Sequence, residues 1–407
     1  MIEPKLRFKA DDESQFPDWE EKKISDIFSK VKEKNKDGQN QNVITNSAEF
    51  GLINQRDFFD KDIAVDGKTE NYTVIKTGDF VYNPRKSKQA PYGPFNCYHL
   101  EKDGIVSPLY TCLRPKGIAD NEYLQWYFQS GSWYRFIYEN GAQNGARHDR
   151  VGMTDSLMQE IPVHLPQLAE EQQKIAEFLS TIDTVIEKQK ETVSAWEERK
   201  KGVMQKLFSQ EVRFKADDGS EFPDWEEKKL GEVGDIVTGN TPSTKQNDYY
   251  GECYLWVTPT DITDSREVTS TAKMLTELGY TVARHIPANS ILVTCIASIG
   301  KNAILRENGS CNQQINSITP YDEYSVEFVY YLICQNEKLL HENAGTGGME
   351  ILNKENFSKI KMYFPCLAEQ QKIADCLSSL DEVIEKQKAT LSAWEEMKKG
   401  LLQQMFV

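Results

Sequence analysis

The sequence predicts a mixed α/β (α+β) protein in which two unlike modules are joined by two long, antiparallel coiled-coil helices. A segment at 168–208 returns at 367–406, and 26 of 38 positions are identical when Glu171 is aligned with Glu369. A shorter leader precedes each module, and the two modules do not resemble each other. This order of leader, module and helix, followed by the same again, predicts a pseudo-two-fold, circular arrangement.

The leader at 7–23 returns at 213–229 with 15 of 17 positions identical. Each copy contains a turn-forming Phe-Pro-Asp followed by a tryptophan, Trp19 or Trp225, which we expect to anchor the start of the next module. Because the second copy follows the first long segment directly, the first copy should lie near the end of the second long segment. The two ends of the chain are therefore expected to be close together.

The two long segments are predicted to be helices because apolar residues recur at alternating steps of three and four, with no proline. About 40 residues rising roughly 1.5 Å each form a rod of roughly 60 Å. A rod of that length cannot bury its apolar seam on itself, so its natural partner is the other copy. Polar residues in the seam are expected to fix register at some cost in stability; they are Gln189, Lys200, Gln387 and Lys398. The alternative is that each helix packs only on its own module.

These repeats divide the chain into four predicted segments. They are a first module with its leader at 1–165, the first long helix at 166–212, a second module with its leader at 213–365, and the second long helix at 366–407. Each module is expected to end in a strand-like stretch and a proline, at Ile161–Pro166 and at Ile360–Pro365.

Within the modules, short strands and helices are predicted to alternate. Tyr72–Tyr82 favours two strands around a glycine, and Asn121–Tyr138 favours a helix with a break near Gly131. In the second module, Ile291–Ile299 has the pattern of a buried strand and Ser325–Gln335 that of a helix.

The composition limits the classes of function. A net charge of −15 argues against general attraction to nucleic acid. Residues 25–165 nevertheless hold 17 Lys and Arg against 18 Asp and Glu, so basic loops can still gather on one face of a nearly neutral module. Residues 231–365 hold 10 against 16.

Targeting and metal signals are absent from the sequence. No apolar run approaches the length of a membrane span, and the first residues lack the pattern of a signal peptide, so we expect a cytoplasmic protein. The eight cysteines form no CxxC pair and the five histidines are scattered. This favours reduced thiols over a disulfide framework or a zinc site.

Catalytic motifs are also missing. There is no phosphate-binding GxxxxGK loop followed by Ser or Thr, and no GxGxxG at the start of a helix. Asn83-Pro84 begins like the Asn-Pro-Pro-Tyr or Asn-Pro-Pro-Phe motif that amino-methyltransferases use to hold adenine, but Arg85 and Lys86 follow. The sequence therefore predicts binding and scaffolding without catalytic, metal or cofactor residues.

The order of the repeats and modules resembles the specificity subunit of Type I restriction–modification systems. The long segments carry LAEEQQKIAEFLSTID and LAEQQKIADCLSSLD. In the second module, GNTPSTK, LWVTPTDI, CIASIGKNAIL, CNQQINSITP and the terminal GTGG look like a target recognition domain of that family. The first module is identified mainly by its position and by its exit, IPVHLPQLAEEQQKIA.

The resemblance implies two target recognition domains, each reading one half of a bipartite and asymmetric double-stranded DNA sequence. The paired helices would act as a ruler for the spacer between the halves. Two modification subunits would supply S-adenosylmethionine and adenine methylation, and up to two restriction subunits would supply cleavage with ATP and Mg. The chain itself would be neither an enzyme nor a membrane protein.

Polar loops rich in Arg, Lys, Asn and Gln suit contacts with base edges and phosphates. The candidate DNA contacts are Tyr82, Asn83, Arg85, Lys86, Lys88, Arg147 and Arg150 in the first module, and Thr241, Ser243, Thr244, Lys245, Ser298, Lys301, Asn302, Gln313 and Gln314 in the second. Asn312 and Gln313 could alternatively be structural, with their amides satisfying a buried turn. The alternative function is a coiled-coil adaptor with two protein-binding modules and no role on DNA.

Overall fold

Packing divides the chain into two compact units. Unit 1 comprises residues 1–190 and 389–407, and unit 2 comprises 191–388. The computed structural model describes residues 3–55, 69–141, 149–345 and 350–406; the candidate contact Arg147 and most of the GTGG segment lie outside these residues. The sequence repeat places boundaries where the long helices begin, whereas packing groups each half-helix with the module that it touches.

Unit 1 combines small antiparallel sheets with short helices. Its strands are β1 (Glu20–Lys23), β2 (Phe28–Lys30), β3 (Ile44–Ser47), β4 (Gly51–Asn54), β5 (Thr73–Ile75), β6 (Phe80–Tyr82), β7 (Phe95–Cys97), β8 (Gly104–Val106), β9 (Thr111–Pro115) and β10 (Pro162–Leu165). Its described helices are α1 (Ile24–Ile27), α2 (Asn121–Ser130), α3 (Tyr134–Asn140) and α4 (Asp155–Glu160), and the first long helix, α5 (Ala169–Phe208), begins here. Strands β2, β9, β6 and β7 form, in that order, the largest sheet in the described part of unit 1.

Unit 2 has a different sheet topology. Its strands are β11 (Glu226–Lys229), β12 (Gly234–Thr238), β13 (Tyr250–Gly251), β14 (Tyr254–Val257), β15 (Glu267–Val268), β16 (Met274–Leu275), β17 (Ser290–Thr294), β18 (Asn302–Leu305), β19 (Ser310–Cys311), β20 (Ile315–Pro320) and β21 (Lys361–Phe364). Its helices are α6 (Leu230–Val233), α7 (Glu277–Val282), α8 (Val326–Gln335), α9 (Glu337–Glu342) and α10 (Lys354–Lys359), and the second long helix, α11 (Leu367–Met405), begins here. A five-stranded sheet runs in the order β12-β20-β17-β18-β15, and a four-stranded sheet runs in the order β13-β16-β14-β19.

The predicted mixed α/β fold and both long helices are confirmed. The helix predicted over Asn121–Tyr138 is interrupted at Gly131, which has a left-handed φ of 76°. The strand predicted over Ile291–Ile299 ends earlier, at Thr294. After Thr294 the chain turns back on itself, and the backbone N–H of Gly300 donates to Thr294 O at 3.0 Å.

Each leader is fixed to the start of a long helix by a buried carboxylate. Glu171 in α5 has no exposed surface and accepts hydrogen bonds from Arg7 Nε at 2.7 Å and from Trp19 Nε1 at 3.0 Å. In unit 2, Glu369 accepts from Arg213 Nε at 3.0 Å and from the tryptophan Nε1 at 3.2 Å. A buried carboxylate needs such donors, so the predicted tryptophan anchor is confirmed and acts through this residue.

The leaders also pair with the module ends. Strand β1 runs antiparallel to β10, and β11 runs antiparallel to β21, so both strand-like exits are confirmed. In unit 1, Leu6 N donates to Gln404 O at 2.9 Å near the end of α11, as predicted for the first leader. The corresponding bond in unit 2 runs from Val212 N to Lys206 O at 3.2 Å.

The long helices pair antiparallel within each unit. In unit 2, Glu197 of α5 lies 2.9 Å from Lys388 Nζ of α11, while Lys200 Nζ lies 2.5 Å from Asp381. Residue numbers therefore rise along one helix as they fall along the other. In unit 1 the repeat-related pair joins Lys398 of α11 to Asp183 of α5, also at 2.5 Å. The seam lysines thus bind carboxylates of the partner helix, which satisfies their charge and defines the register.

The helices pack on the modules as well as on each other. Ile175 and Leu179 of α5 and Met405 of α11 belong to the core of unit 1. Ile373 and Leu377 of α11 belong to the core of unit 2. The helices therefore pair with each other and also pack on the modules, so the alternative that each helix packs only on its own module is wrong.

One helix in each module docks on a long helix in the same way, although the modules differ. The backbone N–H of Asp120, before α2, donates to Gln172 Oε1 at 2.7 Å, and the backbone N–H of Ser325, before α8, donates to Gln370 Oε1 at 2.9 Å. Gln172 and Gln370 occupy the same position of the repeat. We call α2 and α8 the docking helices.

An aromatic side chain follows at the sixth position of each docking helix. Trp126 Nε1 donates to Ser180 Oγ at 3.3 Å, and its ring lies 4.8 Å from Lys398 Nζ. Tyr331 has its hydroxyl 3.4 Å from Ser378 Oγ and its ring 5.2 Å from the seam lysine of unit 2. The aromatic ring covers the lysine of the ion pair, which reduces its contact with water.

No helix in the described ranges has an apolar stretch long enough to cross a membrane. All eight cysteines are free thiols.

Because the Glu171 carboxylate is buried, we predict that its removal strongly lowers the free energy of unfolding. Replacing Glu171→Ala leaves Arg7 and Trp19 without their acceptor, and breaking a buried ion pair costs about 3 to 5 kcal/mol. Chemical denaturation of the full chain should show this loss. Glu170→Ala is the matched control, because that side chain is half exposed and pairs with the neighbouring Lys174, so its loss should be about 1 kcal/mol or less. Equal effects of the two variants would contradict the anchor.

The ion pair between Lys398 and Asp183 predicts that these two charges, 215 residues apart in the sequence, are energetically coupled in the folded chain. A double-mutant cycle with Lys398→Met and Asp183→Asn should give an interaction free energy of about 0.5 to 3 kcal/mol. The exposed pair Glu198 and Lys201, on one helix, provides the comparison and should give about 0.5 kcal/mol or less. A coupling near zero for the seam pair would mean that this layer does not define the register.

Candidate nucleic-acid interface

Two polar loops of unit 1, far apart in the sequence, are joined by backbone hydrogen bonds. Arg85 and Arg150 form an isolated antiparallel bridge. Next to it, Val151 N donates to Pro84 O at 2.8 Å. The structure therefore brings the basic loop at 83–93 next to the residues at 149–152, and places two arginines side by side.

Both arginines line a groove of about 420 Å³. Of the other predicted contacts, Asn83 and Lys86 also line this groove, whereas Lys88 is exposed and does not. Sequence reasoning missed further polar residues of the lining, including Thr45, Asn46, Ser47, Gln55 and Tyr110. They come from β3, from the end of β4 and from the segment before β9, and become neighbours only when the sheets form.

The amide of Asn83 holds the basic loop in shape. Its Oδ1 accepts from Arg85 N at 3.0 Å, and its Nδ2 donates to Asn46 O at 3.1 Å. Gly93 closes the loop from the other side with a φ of +89°, and a Cβ there would lie 2.1 Å from Asn83 O. The loop is therefore preorganised, and Asn83 is mostly engaged in building it.

Tyr82 lies beneath the loop and not on its surface. Its side chain is fully buried, and its hydroxyl donates to Tyr92 O at 2.7 Å. Burial raises the pKa of the Tyr82 phenol, so it remains a neutral donor. We assign Tyr82 to the support of the groove.

In unit 2, the loop at 239–245 is built around Asn240. Its Oδ1 accepts from Arg284 N at 2.7 Å, and its backbone O accepts from Trp256 Nε1 at 3.1 Å. Thr241 Oγ1 donates to Gln313 Oε1 at 2.5 Å, which joins two of the predicted contacts. The remaining candidates of this loop, Ser243, Thr244 and Lys245, are exposed.

The turn at 312–314 is partly structural. Asn312 is buried, its Nδ2 donates to Gln314 Oε1 at 3.1 Å, and its Oδ1 accepts from Gln314 N at 2.9 Å. Gln313, between them, is exposed. The structural alternative therefore describes Asn312 and Gln314, while Gln313 faces outward next to Thr241.

The remaining candidates lie around the end of β17. Ser298 N donates to Ile296 O at 2.8 Å, and Lys301 O accepts from Thr294 N at 2.8 Å. Asn302 donates to Gly300 O at 3.0 Å and accepts from a cysteine thiol, so its amide is engaged within the protein. Of these three candidates, only the Lys301 side chain is exposed and charged.

The described arginines fall into two groups: those whose side chains pair with a carboxylate or a ring of the protein, and those whose side chains do not. Ten of the twelve arginines are described. Six of them pair with carboxylates: Arg7, Arg114, Arg135, Arg213, Arg266 and Arg306. Arg199 lies over the Trp196 ring. Within the described ranges, Arg85, Arg150 and Arg284 have no carboxylate partner, and all three lie beside the polar loops.

A larger groove of about 530 Å³ lies elsewhere in unit 1, between module and helices. Its lining includes Asp183, Glu187 and Glu395 as well as Lys190 and Lys398. The lysines are already near carboxylates. This groove is less suited to a polyanion than the one that contains Arg85 and Arg150.

Comparison with known proteins supports a single family. The family model for the Type I restriction modification DNA specificity domain matches residues 17–194 and 223–393. The chain is 32% identical over 210 residues to the Type I restriction enzyme MjaIX specificity subunit of Methanocaldococcus jannaschii, which covers 49% of this chain and 48% of that protein. It is 38% identical over 146 residues to the HindI specificity subunit of Haemophilus influenzae, covering 35% and 32%. The chain thus spans about half or less of the length of these curated relatives.

Two solved structures share the fold over nearly the whole chain. A chain from a study of complex assembly and conformational transition of the type I R-M system has a TM-score of 0.60 and 16% identity, covering 96% of this chain and 98% of that one. The Type I restriction-modification S subunit from M. genitalium has a TM-score of 0.55 and 16% identity, covering 100% and 99%. Because the family model matches both modules and most of both long helices, this chain belongs to the family of Type I restriction modification DNA specificity domains.

Proposed function

We propose that the chain is the non-catalytic subunit that recognises a bipartite, asymmetric DNA sequence for a Type I restriction–modification complex. One observation carries the proposal. In a protein with a net charge of −15, the described arginines that pair with neither a carboxylate nor an aromatic ring are those at the polar loops of the two modules. An unpaired guanidinium at a preorganised loop is suited to phosphate oxygens and base edges.

The groove of unit 1 offers both kinds of contact. Arg85 and Arg150 can neutralise phosphates and so position the duplex. The Gln55 amide and the Tyr110 hydroxyl are in the same lining and have donors and acceptors for base edges. Unit 2 would read the other half-site with Thr241, Gln313 and the exposed residues of its loop.

The partners follow from the repeat. Each unit contains one half of each long helix and the same lysine–carboxylate pair, so each offers a similar surface for one modification subunit. We infer two modification subunits, which would bring S-adenosylmethionine and methylate adenine, and up to two restriction subunits using ATP and Mg. The helices would set the spacer between half-sites, and the complex would work in the cytoplasm.

The first test measures phosphate contacts. Replacing Arg85 and Arg150 with Ala together should weaken DNA binding and reduce the slope of log affinity against log salt by about 0.9 per lost contact. Binding of the full chain to duplex DNA across a salt series measures this slope. Arg135→Ala is the control, because this arginine is exposed in the same unit but pairs with Glu139. An unchanged slope in the double variant would remove this groove from the DNA interface.

The second test exchanges a module. Replacing residues 231–365 with the corresponding segment of a relative should change one half of the recognised sequence and leave the other half intact. Mapping of methylated adenines in cells that carry the complex would reveal both halves. A change in both halves would contradict independent modules. The absence of any sequence-dependent methylation for the original chain would favour the adaptor.

A further inference from the structure

Arg284 was not predicted as a contact, yet its backbone and its side chain are both held by hydrogen bonds within the protein. Its backbone N–H donates to Asn240 Oδ1 at 2.7 Å, and its carbonyl accepts from Ser310 Oγ at 2.8 Å. Its side-chain Nη1 donates to Thr238 O at 2.7 Å. These bonds attach both the backbone and the guanidinium to the start of the loop at 239–245, and the Arg284 carbonyl to β19.

A stack of three rings supports the same segment. The rings of Tyr254 and Tyr280 are 4.0 Å apart with an interplanar angle of 8°, and those of Tyr280 and His285 are 4.0 Å apart at 7°. Ala283 and Ile286, on either side of Arg284 and His285, are buried. The backbone that carries Arg284 therefore has little freedom to move.

The guanidinium keeps one complete edge for a ligand. Arginine has five N–H donors in a planar fork, and Nη1 is used on Thr238 O. The edge formed by Nε and Nη2 has no hydrogen-bond acceptor or carboxylate among the residues that the structure describes. The side chain is exposed, so this edge is open to a ligand with two adjacent acceptors.

We propose that Arg284 reads a guanine in the half-site bound by unit 2, with Nε and Nη2 donating to guanine O6 and N7. The proposal rests on the proposed function. An arginine donating bidentately to these atoms is the commonest specific contact in the major groove. A phosphate contact does not require a fixed plane, whereas the anchor on Thr238 O fixes the plane of the fork. Lys245, an exposed point charge on the same loop, is better suited to a phosphate.

The test uses the full chain and a library of duplexes with random sequence. Bound DNA is sequenced for the original chain and for Arg284→Ala, Arg284→Lys and Lys245→Ala. For both Arg284 variants, we expect one guanine position to lose its preference by roughly five- to 150-fold, while the other positions remain. Lys245→Ala should instead weaken binding of all sequences alike. Lysine can still donate to Thr238 O, so Arg284→Lys decides the matter if the alanine variant is less stable.

Other outcomes would separate the two hypotheses. If the original chain enriches a bipartite motif and Arg284→Lys retains preference at every position, the assignment of Arg284 is overturned and the proposed function stands. A uniform loss of affinity in a folded Arg284→Lys protein would overturn it as well, because that is the behaviour of a phosphate contact. If the original chain enriches no sequence, the proposed function fails, and the assignment fails with it.

Discussion

A buried carboxylate at the start of each long helix is the interaction on which the rest of the architecture depends. Glu171 has no contact with water, so it is stable only where Arg7 and Trp19 supply hydrogen bonds. The same carboxylate therefore fixes the leader, the entrance to the module and the direction of the helix. Glu369 repeats this arrangement in unit 2, which explains in physical terms why leader and helix are repeated together while the segments between them differ.

Because this frame is built from repeated residues of the leaders and helices, the sheets of the modules are free to differ. Unit 1 has its largest described sheet in the order β2-β9-β6-β7, whereas unit 2 has a five-stranded sheet with β20 next to β12. Both nevertheless return through a final strand that pairs with the leader. The loops that carry unpaired arginines are attached to these variable sheets and not to the repeated frame. Differences in binding can therefore arise without disturbing the anchors.

The sequence predicted those features that depend on local pattern or on the repeat. The helices, the tryptophan anchors and the antiparallel seam at Lys200 and Lys398 are of this kind. The grooves are not, since Arg85 meets Arg150 only through tertiary pairing, and Tyr82 is buried because its strand is central in the sheet. Arg284 lies in a segment without a polar motif, where an arginine followed by a histidine between two buried residues was the only local signal.

The docking helices impose a rule of compatibility on otherwise unrelated modules. Trp126 and Tyr331 have different side chains, but each presents an aromatic face to a seam lysine and a polar tip to the repeated serine. Each helix also begins where a repeated glutamine can accept a backbone N–H. A segment transplanted into this frame must therefore match it at a helix start and at an aromatic residue six positions later. Its strands and loops can vary widely. Two modules can therefore be unrelated in sequence and still fit the same frame, provided that each has the helix start and the aromatic residue.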